Sequence, residues 1–327
     1  MVTVGVVIPI YRCAPYVASC LESVLAQTYS VSQIVLVDDC GGDESMSIAE
    51  EVLTSRGHDY IAIRQPHNGG LGRARNTGLE AITTDAVWFL DSDDTAEPTF
   101  VESLVTALTT HDAQIAVCRT QRVDEAGTVL QIDEQPPRTP VLSGEDYARE
   151  VLCGRAKAYA CTKLFRREVL GSRPWAEDQA YEDFATTIRL SLSSRRVATL
   201  TDPLYRYLYR QGSLSTALTP ATLDLFLVES DVRELIYTGP DASEWKTDFV
   251  GFRYREVLTS VAHVAMRADH QTRGRPPHYA EALTRVQHGI TWRDLPTLIR
   301  GRYFRESIFA VLVAYTPGLY SMVLRRR

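Results

Sequence analysis

The first hundred residues alternate two kinds of stretch, and that alternation limits the possible fold more than any other feature. Short β-branched runs, GVVIPI (5–10), IVLVDD (34–39), YIAIRQ (60–65) and AVWFLD (86–91), are separated by amphipathic patterns near residues 15–27, 43–56 and 71–82. Strands spaced by helices of three or more turns imply βαβ units, and hence a mostly parallel sheet covered by helices on both faces. In such sheets ligands bind beyond the carboxyl ends of the strands. The residues to watch are therefore Pro9 to Tyr11, Asp38 with Asp39, and Asp91 to Asp94.

The middle of the chain is less regular. IAVCRTQRV (115–123) reads as a strand, 143–153 as a helix opened by a Ser143/Asp146 capping pair, and 160–170 and 181–193 as further helices. Strand-like VATLTD and YRYLYR follow, and after the Leu218-Thr219-Pro220 break the pattern is wholly helical through 223–237, 245–267 and 279–288. At 327 residues the chain is long enough for about two structural units.

Three aspartates within four positions, at the mouth of a strand, are costly unless a cation neutralises them. A hard divalent ion such as Mn²⁺ or Mg²⁺ is the natural partner for closely spaced oxygens. A solvated turn with Asp93 or Asp94 capping the next helix is the plainer alternative. Asp39 stands where an acid can accept from a ribose or a base, and a turn aspartate is again the plainer reading. No GxGxxG follows the first strand, which disfavours a nicotinamide or flavin dinucleotide. HNGGLGRARNTGL (67–79) puts paired glycines ahead of a helix bearing Arg73, Arg75 and Asn76, an arrangement able to bring backbone N–H groups and a guanidinium to phosphate.

Together VVIPIYR (6–12), LVDDC (36–40), NGGLGRARNTGL (68–79) and FLDSDD (89–94) resemble, in order and spacing, the inverting family 2 glycosyltransferases of the GT-A fold. The resemblance extends to YEDF (181–184) and DPLYRYLYRQGS (202–213). It implies an α/β domain over 1–218, with a nucleotide-binding half to about 105 and an acceptor half from 106 to 218, followed by a helical region over 219–327. It further implies that Pro9, Tyr11 and Asp39 hold the uridine or other nucleoside, Asp39 on the base, with Asn68 and Arg75 completing that pocket. Asp91 would contact ribose or sugar beside Ser92, and Asp93 would ligate a metal that bridges the donor diphosphate, with Asp94 close enough to assist.

Glycosyl transfer needs the leaving diphosphate stabilised and the acceptor hydroxyl deprotonated, and a single displacement inverts the anomeric centre. Two acidic pairs compete for the base, Glu177-Asp178 and Glu182-Asp183. The family pattern favours Asp183, with Glu182 orienting acceptor or base. The chain departs from relatives at Asp39-Cys40-Gly41-Gly42, where DDGS is common, and at Leu208, where many carry an arginine over the diphosphate. Arg206 or Arg210, with Ser213, would replace that arginine. The QxxRW signature of processive synthases is absent, so transfer of a single sugar is expected.

A net charge of −6 argues against nucleic acid as a partner. Six cysteines without a CxxC pair read as reduced thiols, and the N-terminus lacks the pattern of a signal peptide, so a cytoplasmic protein is expected. The tail over 300–327 sets six arginines (300, 302, 305, 325, 326, 327) against one acid, Glu306, around apolar and aromatic residues. That composition suits a segment lying on the cytoplasmic face of an anionic membrane; a last helix packed on its domain or a homo-oligomer contact is the alternative. A glycan, lipid-linked or cell-envelope acceptor follows from the resemblance. The competing functions are a nucleotidyltransferase of similar fold, for which PIYRC lacks the Gly-rich phosphate loop, and a catalytically silent nucleotide-sugar binding subunit, against which Asp93 together with Asp183 argues.

Overall fold

A computed structural model describes residues 1–210, 218–238, 243–271 and 276–324. They form two compact units, 1–151 with 155–210, and 152–154 with the described residues from 218 to 324.

The first unit begins as the alternation demands: β1 (Val4–Ile10), α1 (Val17–Leu25), β2 (Gln33–Asp38), α2 (Ser45–Ser55), β3 (Ile61–Arg64), α3 (Gly70–Ala81) and β4 (Ala86–Phe89). β1 is buried along its whole length and pairs in parallel with β2 and β4. A strand flanked on both sides and covered on both faces has no solvated edge, which is why VGVVIPI carries no polar alternation. Next come β5 (Thr95–Ala96), α4 (Phe100–Thr110), β6 (Ile115–Val117), β7 (Thr120–Val123), β8 (Val129–Ile132), β9 (Val141–Leu142) and α5 (Gly144–Leu152). The unit closes with β10 (Lys163–Arg166), α6 (Arg167–Leu170), α7 (Glu182–Leu192), β11 (Val197–Thr199) and β12 (Tyr205–Leu208).

The main sheet runs β3-β2-β1-β4-β10-β6-β11-β9, and a smaller one runs β5-β12-β7-β8. The fold is thus α/β, with a large mixed sheet between helices. β10 lies antiparallel to both β4 and β6, so the C-terminal ends of β1, β2, β4, β6 and β11 share one edge. Under the sheet Trp88 packs on Phe100 with ring centroids 4.5 Å apart, and the Trp88 indole N–H donates to the Cys161 carbonyl at 2.9 Å.

Two expectations need correction. Residues 160–170 are not one helix: a single 3₁₀ turn over 160–162 leads into β10, and only 167–170 is helical. β10 fills the gap between β4 and β6, and pairing on both flanks overrides any local helical tendency. The strand expected over 115–123 divides at Cys118-Arg119, with β6 entering the main sheet and β7 the smaller one.

In the second unit the helices are α8 (Leu225–Tyr237), α9 (Lys246–Phe252), α10 (Ser260–Gln271), α11 (Tyr279–Gly289), α12 (Leu295–Arg300), α13 (Phe304–Tyr315) and α14 (Pro317–Leu324). The single helix expected over 245–267 is interrupted by a π-helical stretch, Arg253–Thr259, in which the Thr259 hydroxyl donates to the Tyr254 carbonyl at 2.6 Å. No described helix is long and apolar enough to cross a membrane.

Candidate active site

At the shared edge, three non-glycine residues adopt left-handed backbone: Arg12 (φ 48°) after β1, Cys40 (φ 58°) after β2 and Tyr181 (φ 60°) before α7. This conformation costs roughly 1–2 kcal/mol per residue and persists where the surroundings fix it. Here it turns the chain sharply at the two strand tips and at the start of the helix that carries Glu182 and Asp183.

Asp39 is 3% exposed, and its carboxylate is fully engaged. Oδ1 accepts from Gln65 Nε2 (3.0 Å) and Gly69 N (2.7 Å), and Oδ2 from Asn68 Nδ2 (3.0 Å) and Gly70 N (3.0 Å). The glycine N–H groups at the head of α3 therefore face this acid and not a phosphate, which corrects the cradle expected of HNGGLGRARN. Burial raises the Asp39 pKa against these donors. Pro9 is buried at the end of β1, whereas Tyr11 is 42% exposed, with Arg12 over its ring at 5.2 Å.

Arg75, expected to complete the nucleoside pocket, is engaged with acids of the site. It is almost wholly buried and bridges two acids, donating from Nη2 to Asp91 Oδ1 (2.7 Å) and from Nη1 to Glu182 Oε1 (2.5 Å). Burial works against its charge, but Asp91, Glu182 and Asp183 more than offset this and hold its pKa above the usual value. The guanidinium also stacks over Trp175 at 5.2 Å. The next residue, Asn76, fastens the facing loop, donating to the Trp175 carbonyl (2.8 Å) and accepting from its N–H (3.0 Å). Gly72 permits this approach, because a Cβ there would strike the Ala176 carbonyl.

The three aspartates after β4 divide their tasks. Asp93 Oδ2 accepts from Arg210 Nη2 at 2.7 Å, and that guanidinium lies 5.2 Å over the Tyr16 ring. Asp94 is buried and accepts from the Leu208 N–H and the Tyr205 hydroxyl, both at 2.7 Å, which ties the loop to β12. Ser92 is 9% exposed and interacts with Cys13. Arg206 points elsewhere, to Glu97 and the Gly127 carbonyl, so of the two candidate arginines only Arg210 reaches the acids. Ser213 lies outside the described residues.

Burial, then repulsion by Asp91, raises the Asp93 pKa despite Arg210. Burial and both neighbouring acids push Asp94 well up. At α7 burial lifts Glu182 to about 7 against the pull of Arg75, and raises Asp183 against Arg75 and Lys163. The rejected pair lies apart: Glu177 is bound to Arg173 and Asn76, and Asp178 is nearly fully exposed.

Oxygens of Asp91 and Asp94 and the Cys161 sulfur lie within 4.8 Å of one another. That donor set suits a hard cation poorly, since Asp94 is committed to Tyr205 and Leu208 and the thiol is soft and buried. Asp91 and Asp93 fit better, because both carboxylates are partly exposed beyond the end of β4. Sequence reasoning missed Tyr16 and Cys161, for which no local signal exists, and Tyr205, which lay unremarked inside a quoted motif.

A mixed sheet of this order between helices, with acids beyond the shared strand ends, defines a GT-A type transferase fold. Residues 5–173 match the family model described as Glycosyl transferase family 2, and the chain belongs to that family of glycosyltransferases. Among curated proteins, "Glycosyltransferase GlyG" of Streptococcus pneumoniae serotype 4 is 24% identical over 275 residues, covering 78% of this chain and 88% of that one. Among solved structures, S. aureus TarS 1–349 in complex with UDP-GlcNAc superposes with a TM-score of 0.71 at 18% identity, covering 95% of this chain and 90% of that one. The mannosyltransferase PcManGT from Pyrobaculum calidifontis, in complex with GDP-Man and Mn²⁺, gives 0.56 at 15% identity over 96% and 87%. At these identities the structural likeness speaks for the fold alone.

Proposed function

We propose that the protein moves one sugar from a nucleotide-diphosphate donor, UDP-linked, to a hydroxyl of a glycan, lipid-linked or cell-envelope acceptor, with inversion. The observation that carries this reading is the Arg75 bridge, which joins Asp91 of the donor-side acid cluster to Glu182 beside Asp183. An inverting displacement needs a leaving-group side and a base side held in fixed relation, and one buried guanidinium does that here. The UDP-GlcNAc in TarS and the Mn²⁺ in PcManGT support the donor and the cation.

In this reading Pro9, Tyr11 and Asn68 border the nucleoside, and Asp39 keeps their loops in place. Asp93 and Asp91 would hold Mn²⁺ or Mg²⁺, which when bound supplies positive charge to the departing diphosphate. Arg210, already at Asp93, adds a second positive charge on that side, with Ser92 and Ser213 nearby in sequence. Asp183 takes the proton of the attacking hydroxyl, and Glu182, fixed by Arg75, orients it.

A peripheral contact with the inner membrane face belongs to the same proposal. On α13 the residues Phe304, Ile308, Val311 and Tyr315 recur at helical spacing and are exposed, at 58, 60, 39 and 70%, close to Arg300, Arg302 and Arg305.

The test is UDP-sugar turnover by the full chain, with water or an added glycan as acceptor. Asp183→Asn is expected to lower the rate by roughly 10²- to 10⁴-fold, and EDTA to abolish it until Mn²⁺ is restored. Unchanged turnover in the variant sinks the base assignment, and turnover indifferent to EDTA sinks the metal.

A further inference from the structure

The two arginines that face the acids beyond β4 are held very differently. The Arg75 side chain is 2% exposed, donates to Asp91 (2.7 Å) and to Glu182 (2.5 Å), and lies over the Trp175 ring at 5.2 Å. Arg210 stands two residues past the end of β12, and its side chain is 36% exposed. Among the described residues its guanidinium donates to a single acceptor, Asp93 Oδ2 at 2.7 Å, and lies 5.2 Å over the Tyr16 ring. The Asp93 side chain is itself 27% exposed. An ion pair so open to water stabilises little, because solvent competes for both groups and a long side chain must give up rotamer freedom to keep it. Arg75 is therefore fixed in place, whereas Arg210 can be exchanged.

Asp93 is also one of the two carboxylates that suit a divalent cation, so one acid has two claimants. A metal ion that enters beside the guanidinium meets a like charge within a few ångströms, where repulsion persists even in a solvated site. Arg210 therefore weakens the hold of Asp93 on a metal ion that arrives alone. A nucleoside diphosphate reverses this balance, because its phosphate oxygens accept from a guanidinium in the bidentate, charge-assisted geometry that arginine favours. Once a diphosphate is present the arginine has a second anion to bind, and Asp93 is released to the cation.

We propose that Arg210 is an exchangeable counter-charge that couples cation and donor: it pairs with Asp93 in the absence of donor, weakens binding of a free divalent ion there, and transfers to the diphosphate when both arrive. The inference rests on the donor and cation reading given above and adds the order in which the two bind. No covalent step is involved, since one ion pair is lost and another gained. By linkage, cation and donor then strengthen each other's binding to the same extent.

Calorimetry on the full chain tests this, with Mn²⁺ titrated in the absence of donor and UDP titrated in saturating Mn²⁺, for the unaltered protein, Arg210→Gln and Arg210→Lys. Arg210→Gln is expected to bind Mn²⁺ alone at least about threefold tighter and UDP at least about fivefold weaker. The two shifts have opposite signs, whereas a merely structural loss would lower both affinities. Arg210→Lys keeps the charge and should bind Mn²⁺ alone within about twofold of the unaltered chain. Mn²⁺ affinity in Arg210→Gln no higher than in the unaltered chain, undetectable binding in both included, overturns the exchange. So does an unchanged UDP affinity, or a lysine variant that binds Mn²⁺ as tightly as the glutamine one. Failure of the unaltered chain to take up Mn²⁺ even with UDP present overturns the cation reading instead, so the two failures are distinguishable.

Discussion

Replacing Arg75 with methionine tests the central feature of the site, because it removes one cation from between two acids and keeps much of the apolar stem. The Arg75 side chain is 2% exposed, Glu182 7% and Asp91 24%, so the loss falls mainly on a carboxylate without water. Removing one partner of a buried ion pair costs about 3–5 kcal/mol. Partial solvation of Asp91 puts the expectation for Arg75→Met near the lower end, about 3 kcal/mol at pH 8. The deficit should depend on pH. Glu182 lies near 7 even with the guanidinium present, against 4.5 for a free side chain, and without Arg75 it rises further. In the variant the folded state then holds a proton that the unfolded state releases, so stability is greatest below about 4.5 and declines as pH rises through the raised folded value. Urea unfolding at pH 5.5 and pH 8 measures both effects. A deficit below about 1 kcal/mol at pH 8, or one equal at the two pH values, would refute the buried-bridge reasoning, as would failure of Glu182→Gln to reduce the deficit in the double variant.

Two further outcomes follow from the same structure. Because burial raises the pKa of Asp183 above 3.8, and the base must be charged to accept a proton, kcat/KM should fall on acidification with an apparent pKa above that value. A profile flat down to pH 4 would remove Asp183 from the role. Phe304→Glu with Ile308→Glu, both on the exposed face of α13, should cut sedimentation with phosphatidylserine-rich vesicles at least fivefold and leave the melting temperature unchanged; undiminished sedimentation would eliminate that face as the membrane contact.

The first four strands and three helices were legible because each is specified by its own residues. GVVIPI and AVWF are β-branched or aromatic runs short enough to be strands, and the segments between them carry a helical period. β10 was not legible for the opposite reason: KLFR is four residues long, and it is a strand only because β4 and β6 lie on either side. Arg119 marks another such boundary, since its N–H donates to the Asp202 carbonyl and separates β6 from β7. No local pattern announces a partner that lies dozens of residues away.

The same division runs through the site. The acids could be found from the sequence, but their partners could not: Arg75 meets Glu182 across 107 residues, and Asp94 meets Tyr205 across 111. Read alone, an arginine after paired glycines suggests phosphate, and three clustered aspartates suggest a vacancy for metal. The fold spends that arginine on Asp91 and Glu182, spends Arg210 on Asp93, and satisfies Asp94 with a hydroxyl and an amide. Among the described residues, five carboxylates (Asp91, Asp93, Asp94, Glu182 and Asp183) nevertheless share only these two arginines, with Lys163 acting on Asp183 from further off. The pKa values of Asp93, Asp94, Glu182 and Asp183 are all raised, burial being the largest cause in each and repulsion among the acids adding to it. Pairing with Arg75 and Arg210 therefore reduces the repulsion among these acids without removing it.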